Sequence, residues 1–338
     1  MNPAVLDEHL ANLYVSDMVF HALVAAGEPV KASEAAKHAS NPDVDMKLAR
    51  VILATNPSRF SSVDRKWTLW SRFADANRPF ERNLEETLSV AGKPLPIDAL
   101  AREMSAIYNK SEESMLEALP RILKSSQKFY FDGEGSYGLY RWLLDTSGES
   151  DDDVKFDNYL KEHDVIGYLD AKIDSENLDT VVKFLDSVVG SVSNKALQFV
   201  AWKQSPDTFD AIKFVTGLLK QPNVDLLSTE TWVGPAAISK LTTYFAAIAE
   251  KEVDEHGDSA SAEAATPLVI SDDEKVQLVN SVLESEKTSH AIALLDSIFE
   301  ITEEDSTYAA DLNTVLETLK SDERVVWVGA DRFLPAGS

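Results

Sequence analysis

Over most of the chain the apolar residues recur with the period of an amphipathic helix, and at intervals that period yields to short apolar stretches flanking polar or glycine-bearing turns. The clearest case runs from residue 96 to 142. "PIDALAREMSA" (96–106) has helical period and opens on Pro96, where a missing N–H does no harm. "KSEESMLEALPRILK" (110–124) then sets Met115, Leu119, Ile122 and Leu123 on one face, behind an acidic first turn that suits the helix dipole. Pro120 predicts a kink or an early end. "KFYF" and "YGLYRW" follow as two short strands around a glycine-rich tip, so the order reads helix, helix, hairpin.

The same order is legible three more times. Residues 43–73 place Val44, Leu48, Val51 and Ile52 at helical spacing, then a strand near Phe60 and a second with Trp67 and Leu69. Residues 206–233 give Ile212, Val215 and Leu219 inward, then "VDLL", a Ser-Thr-Glu turn and Trp232; residues 305–335 give Tyr308, Leu312, Val315, Leu316 and Leu319, then "RVVWV", a Gly-Ala-Asp turn and Phe333. Upstream helices are expected at "SDMVFHALVAAG", "KASEAAKHAS", "NLEETLSVAG", "LDTVVKFLDSVV", "NKALQFVAWKQS", "EKVQLVNSVLES" and "SHAIALLDSIFE". The hairpin aromatics Trp67, Tyr137, Trp232 and Phe333 lie 70, 95 and 101 residues apart, so the later intervals hold insertions. An extra helix at 238–253 and a polar linker at 254–268 account for them.

This helix-helix-hairpin pattern resembles the winged-helix superfamily, a helix-turn-helix group with no invariant chemical signature. The resemblance implies a mainly α, α+β chain of tandem winged helices with two-stranded wings. The boundaries expected are 1–78 for the first, 79–146 for the second, 154–253 for the third with extra helices, 254–268 for a flexible acidic linker and 269–338 for the fourth. "DTSGESDDD" (145–153) reads as the divide between the halves. Some winged-helix families bind DNA; others are protein-docking modules inside polymerase, condensin and ubiquitin-ligase assemblies.

Composition narrows the setting. At 338 residues, 44% of them hydrophobic, the chain can fill more than one core. It has no run of 18 apolar residues, and "MNPAVLDEHLANLY" carries acids where a secretory signal would be basic, so no membrane partner is expected. Cysteine is absent, which excludes disulfides and thiolate chemistry and fits a cytoplasmic protein. Of the net charge of −25, residues 151–338 hold −21, with 36 acidic and 15 basic residues. That surface repels phosphate and favours a protein partner with a basic surface.

Catalytic, metal and cofactor sites are not expected. Gly133, Gly135 and Gly138 have dinucleotide-loop spacing, but only "LYRWLLD" follows before a helix-breaking stretch, too short for a crossover helix. His9, His21, His38, His163, His256 and His290 are scattered without metal-ligand spacing, and no G-x-S-x-G elbow occurs. DNA contact is expected, if at all, through residues 1–78, where Lys47 and Arg50 on the helix and Arg59, Arg65, Lys66 and Arg72 on or beside the hairpin would form one basic face. The other copies present Glu112, Glu113 and Glu117, Asp207 and Asp210, and Asp305, Asp311 and Glu317 in the corresponding helices. Three readings follow: a non-enzymatic scaffold or adaptor in a DNA-associated or transcription-related assembly, a DNA-binding regulator using the first copy, and an acidic decoy for a basic nucleic-acid-binding surface.

Overall fold

A computed structural model describes residues 7–63, 65–145, 171–188, 190–250, 268–285, 288–301 and 307–336. The fold is α+β, mainly helical with small antiparallel sheets. Two compact units are present, residues 1–255 and 256–338. Among the described residues no helix is long and apolar enough to cross a membrane.

Unit 1 is built around α1 (Glu8–Ala26), which is apolar on nearly all sides and therefore buried on nearly all sides. Asp7 caps its start by accepting the Leu10 N–H at 2.9 Å, and Gly27 ends it with φ 76°. After α2 (Ala32–His38) and α3 (Met46–Thr55), strands β1 (Phe60–Val63) and β2 (Lys66–Leu69) form a hairpin, and a bridge from Val30 to Trp67 extends it. The order then repeats as α4 (Phe80–Ala91), β3 (Leu95–Pro96), α5 (Ile97–Tyr108), α6 (Glu112–Ser125), β4 (Phe129–Phe131) and β5 (Ser136–Leu139). A third pass gives α7 (Leu178–Ser187), β6 (Ser191–Ser193), α8 (Asn194–Gln204), α9 (Ala211–Leu219), β7 (Asp225–Leu227) and β8 (Thr231–Val233). Unit 2 holds a fourth: α12 (Asp272–Leu283), β9 (Ser289–His290), α13 (Ala291–Phe299), α14 (Tyr308–Lys320), β10 (Val325–Gly329) and β11 (Arg332–Pro335).

The repetition extends to single hydrogen bonds. The N–H after the hairpin's second strand reaches the carbonyl before its first strand in three passes: Trp70 to Arg59 at 2.8 Å, Tyr140 to Lys128 at 2.8 Å and Ala336 to Arg324 at 2.7 Å. The N–H at the start of the second helix reaches a hairpin-turn carbonyl in three: Ile97 to Gly135 at 3.1 Å, Asn194 to Glu230 at 2.9 Å and Ala291 to Asp331 at 2.7 Å. These bonds draw a short extra strand onto each hairpin, so the sheet orders are β3-β5-β4, β6-β8-β7 and β10-β11-β9. The hairpin aromatics Trp67, Tyr137, Trp232 and Phe333 all sit on the second strand of their hairpins.

The structure differs from expectation at two helices. Pro120 neither kinks α6 to a stop nor ends it, because Met115, Leu119 and Leu123 anchor both sides of it in the core while Leu116, whose carbonyl it leaves without an N–H, faces water. The expected single helix at 238–253 is two short ones, α10 (Pro235–Thr242) and α11 (Phe245–Ala249). Thr242 and Thr243 turn their hydroxyls onto the carbonyls of Ser239 and Lys240, at 2.8 and 2.7 Å, and the break lets Phe245 and Ile248 face the core. The linker at 254–268, except its last residue, and most of the 145–153 divide lie outside the described residues.

One buried apolar cluster runs through all three passes of unit 1. A polar knot ties the second to the third: Asn194 and Gln198 side chains donate to the Trp142 carbonyl at 2.8 and 2.9 Å, Gln198 Oε1 accepts the Leu144 N–H at 3.0 Å, and Asn194 Oδ1 accepts the Trp232 indole N–H at 2.9 Å. Unit 2 has its own core around Leu278, Leu295, Val315, Leu319 and Phe333.

Candidate functional site

The six cations of the expected basic face part company in the structure. Lys47 on α3 and Lys66 on β2 are exposed; Arg50 and Arg65 are half-buried, Arg65 at the hairpin turn with φ 61°. Arg59 instead points inward, its guanidinium 2.7 Å from Asp17 Oδ1 on α1, with further bonds to Ser16 Oγ at 2.9 Å and the Val90 carbonyl at 3.1 Å, and it stands 4.9 Å over the Phe20 ring. Arg72 grips both carboxylate oxygens of Glu103 on α5, at 2.7 Å and 3.1 Å, and donates to Thr68 Oγ1 at 3.0 Å. Asp17 and Glu103 are both buried. A continuous basic face that includes Arg59 and Arg72 is therefore corrected: a guanidinium already paired with a buried carboxylate cannot turn outward to phosphate without stranding that charge.

Asp17 is the centre of a junction between the first, second and third passes. Its Oδ2 accepts the Ser228 N–H at 2.8 Å, just past β7. Lys93 pairs with Asp225 of β7 at 3.0 Å. Gly92, at φ 73°, lies so close that a Cβ there would come within 2.3 Å of Ser228 Cα. Burial pushes the Asp17 carboxyl up from its ordinary value, against the pull of Arg59 and of its hydrogen bonds to Ser228. His21, also on α1, bonds through Nε2 to the Ala91 carbonyl at 3.0 Å; burial, then the nearby Lys93 charge, holds its pKa well below the usual 6.5. The imidazole is neutral and donates to that carbonyl.

At the turn that carries Gly133, Gly135 and Gly138 two backbone amides are already occupied. Asp132 Oδ1 accepts the N–H groups of Glu134 at 2.7 Å and Ser136 at 3.0 Å, which places a carboxylate where a phosphate would have to sit. Glu134 in turn pairs with Lys220. Gly133 and Gly135 adopt positive φ at the tip, and Gly138 makes room for the Tyr130 ring, which a Cβ would meet at 2.6 Å. Of the histidines, His290 lies 3.2 Å from Asp331 through Nδ1, while His163 and His256 lie outside the described residues.

What sequence reading missed is the exposed apolar surface beside the hairpins. Trp70 and Phe73, in a 3-10 turn directly after β2, are both about half exposed with ring centroids 5.9 Å apart. Phe131 and Tyr140 are likewise exposed and, with Phe129, Tyr137, Leu123 and Lys124, line an open hollow of ≈ 480 Å³ between the end of α6 and the β4–β5 hairpin. On β10 the consecutive Val326, Trp327 and Val328 are exposed. Aromatics straight after a hairpin were a signal in "LW" (69–70) and "LY" (139–140), but nothing in a single sequence tells an outward ring from an inward one. Comparison with protein-family models, curated proteins and solved structures finds no match to the chain.

Proposed function

We propose that this chain works by binding protein, as an adaptor of tandem degenerate winged-helix modules in a DNA-associated or transcription-related assembly. The observation that carries the reading is the contrast at the first hairpin: Arg59 and Arg72 are spent on buried carboxylates, while Trp70 and Phe73 are left in water. Clustered, exposed aromatics are the side chains that anchor protein interfaces, and charge taken inward contributes little to holding DNA. The net charge of −25, of which residues 151–338 hold −21, supports a basic protein partner in the same way.

The test pairs two measurements on the full chain. Titration of a labelled DNA duplex at low salt is expected to give no saturable binding. Chemical cross-linking in an extract of the source cells, read by mass spectrometry, is expected to join a basic protein to the chain, and Trp70→Ser with Phe73→Ser to reduce that product. Duplex binding that falls steeply with salt would replace the adaptor by a DNA-binding regulator. That second reading rests on Lys47 and Lys66, which remain exposed, and predicts that Lys66→Glu weakens binding to all sequences alike.

A further inference from the structure

The hollow between the end of α6 and the β4–β5 hairpin has walls of one chemistry and a rim of another. Phe129 and Phe131 alternate along β4, and register sets Tyr137 opposite Phe131, so the three rings lie on one face of the hairpin, the Phe131 and Tyr137 centroids 5.1 Å apart. Leu123 and Lys124 of α6 stand across from them over ≈ 480 Å³ of open space, and Phe131 is left 49% exposed. The rim is basic. Residues 118–131, which supply most of these walls, carry Arg121, Lys124 and Lys128 and no carboxylate, in a chain whose net charge is −25. Lys128 is neutralised by Glu85 at 2.7 Å, with Glu81 at 4.0 Å. Arg121 and Lys124, three residues apart on one side of α6, are exposed and form no ion pair among the described residues. The acids nearest in sequence are Glu117, about two helical turns before Lys124, and Asp132, whose Oδ1 holds the Glu134 and Ser136 N–H groups. In the fourth pass the lysine at the same offset from its strand aromatic, Lys320, sits 4.9 Å over the Trp327 ring. Lys124 makes no such contact with Phe131 among the described residues, and its ammonium stays available.

We propose that this hollow is the docking site for an acidic segment of a protein partner, which seats one aromatic side chain among the Phe129, Phe131 and Tyr137 rings and sets carboxylates against Lys124 and Arg121. The proposal rests on the protein-binding reading above and gives the adaptor a second ligand, opposite in charge to the first. An aromatic anchor follows from the walls, because rings pair edge-to-face or offset at centroid distances of about 4.5–7 Å. Acidic flanks follow from charge complementarity. Among the residues lining the hollow only Lys124 is charged, and a carboxylate brought to it and Arg121 meets cations that have no other counter-charge. Repulsion by the net negative charge is long-range and screened in ordinary salt beyond about 8–10 Å, so contacts at the rim decide.

The probe is a peptide of about nine residues, up to about 30 Å when extended, with a fluorinated phenylalanine at its centre and glutamates on both sides. Fluorine NMR of the peptide against the full chain should give saturable line broadening. Affinity should fall about tenfold with Lys124→Glu and with Phe131→Ser, and stay unchanged with Lys213→Glu, an exposed cation elsewhere. Arg121→Glu is the second charge variant should Lys124→Glu not fold. Replacing the glutamates by lysines, or the phenylalanine by alanine, should abolish the broadening. Equal binding of the lysine peptide would overturn the acidic partner, and binding that survives both Lys124→Glu and Phe131→Ser would overturn the site. A concentration-dependent dimer of the native chain that Lys124→Glu dissolves would replace the partner by a second copy. No broadening up to about millimolar peptide overturns the inference and leaves the basic partner held through Trp70 and Phe73 standing, whereas steeply salt-dependent duplex binding is what overturns the adaptor reading.

Discussion

Arg59 and Arg72 show why a cation's role is hidden at the level of the single residue. Their partners, Asp17 and Glu103, lie 42 and 31 residues away, and no local pattern brings them together. Lys47 and Lys66 stay outside because they face away from the apolar stripes around them, which is the part a periodic pattern does reveal. Glu103→Ala would leave the Arg72 guanidinium buried without a counter-charge and is expected to lower unfolding free energy by about 3–5 kcal/mol in urea denaturation, whereas Glu103→Leu with Arg72→Met should recover most of it. His21 gives a pH signature. Its folded pKa is depressed, so the stability it contributes is present above its unfolded value of about 6.5 and is lost as pH falls below that toward the folded value. As pH falls from about 7.5 to about 5 the native chain should lose stability through this group. His21→Gln, whose amide can still donate to Ala91, should flatten that part of the curve in equilibrium denaturation; an unchanged slope would show that the imidazole titrates normally.

At the scale of elements, most of the chain was legible because helices announce themselves through period and caps. The side chains of Asp7, Asp45, Ser111 and Ser271 accept N–H groups in the first turns of α1, α3, α6 and α12. The hairpins were legible through their turns and aromatics. The short strands β3, β6 and β9 were not, since two or three residues cannot show alternation and their position is set by turn carbonyls far along the chain. Glycines at the β4–β5 hairpin raise the same ambiguity, as a phosphate loop and a tight hairpin both need them. The packing resolves it into a prediction: Gly138→Ala, whose Cβ would strike Tyr130 at 2.6 Å on the hairpin floor, should cost about 1–3 kcal/mol. Adding Tyr130→Phe, which removes the hydroxyl among the nearest atoms, should return part of that in the same denaturation experiment.

On the scale of the whole molecule, four similar passes are stabilised in two ways. The passes of unit 1 share one buried cluster and are cross-linked by polar groups with little access to water, while the fourth, in unit 2, closes a core of its own. Asn194 and Gln198 are the strongest such link, because both side chains are fully buried and between them bond two backbone groups of the second pass and the Trp232 indole of the third. Buried amides so placed stabilise only while every partner is satisfied. Asn194→Leu strands the Trp232 N–H and takes one donor from the Trp142 carbonyl, so a loss of about 2–4 kcal/mol is expected. Its reach distinguishes a shared core from independent modules. Amide hydrogen exchange in α1, α5 and α8 should accelerate together in that variant, since one cooperative body opens as a whole, and exchange in α13 and α14 should stay as it was. Acceleration confined to α8 and its hairpin would mean that the three passes of unit 1 unfold separately despite the cluster they share.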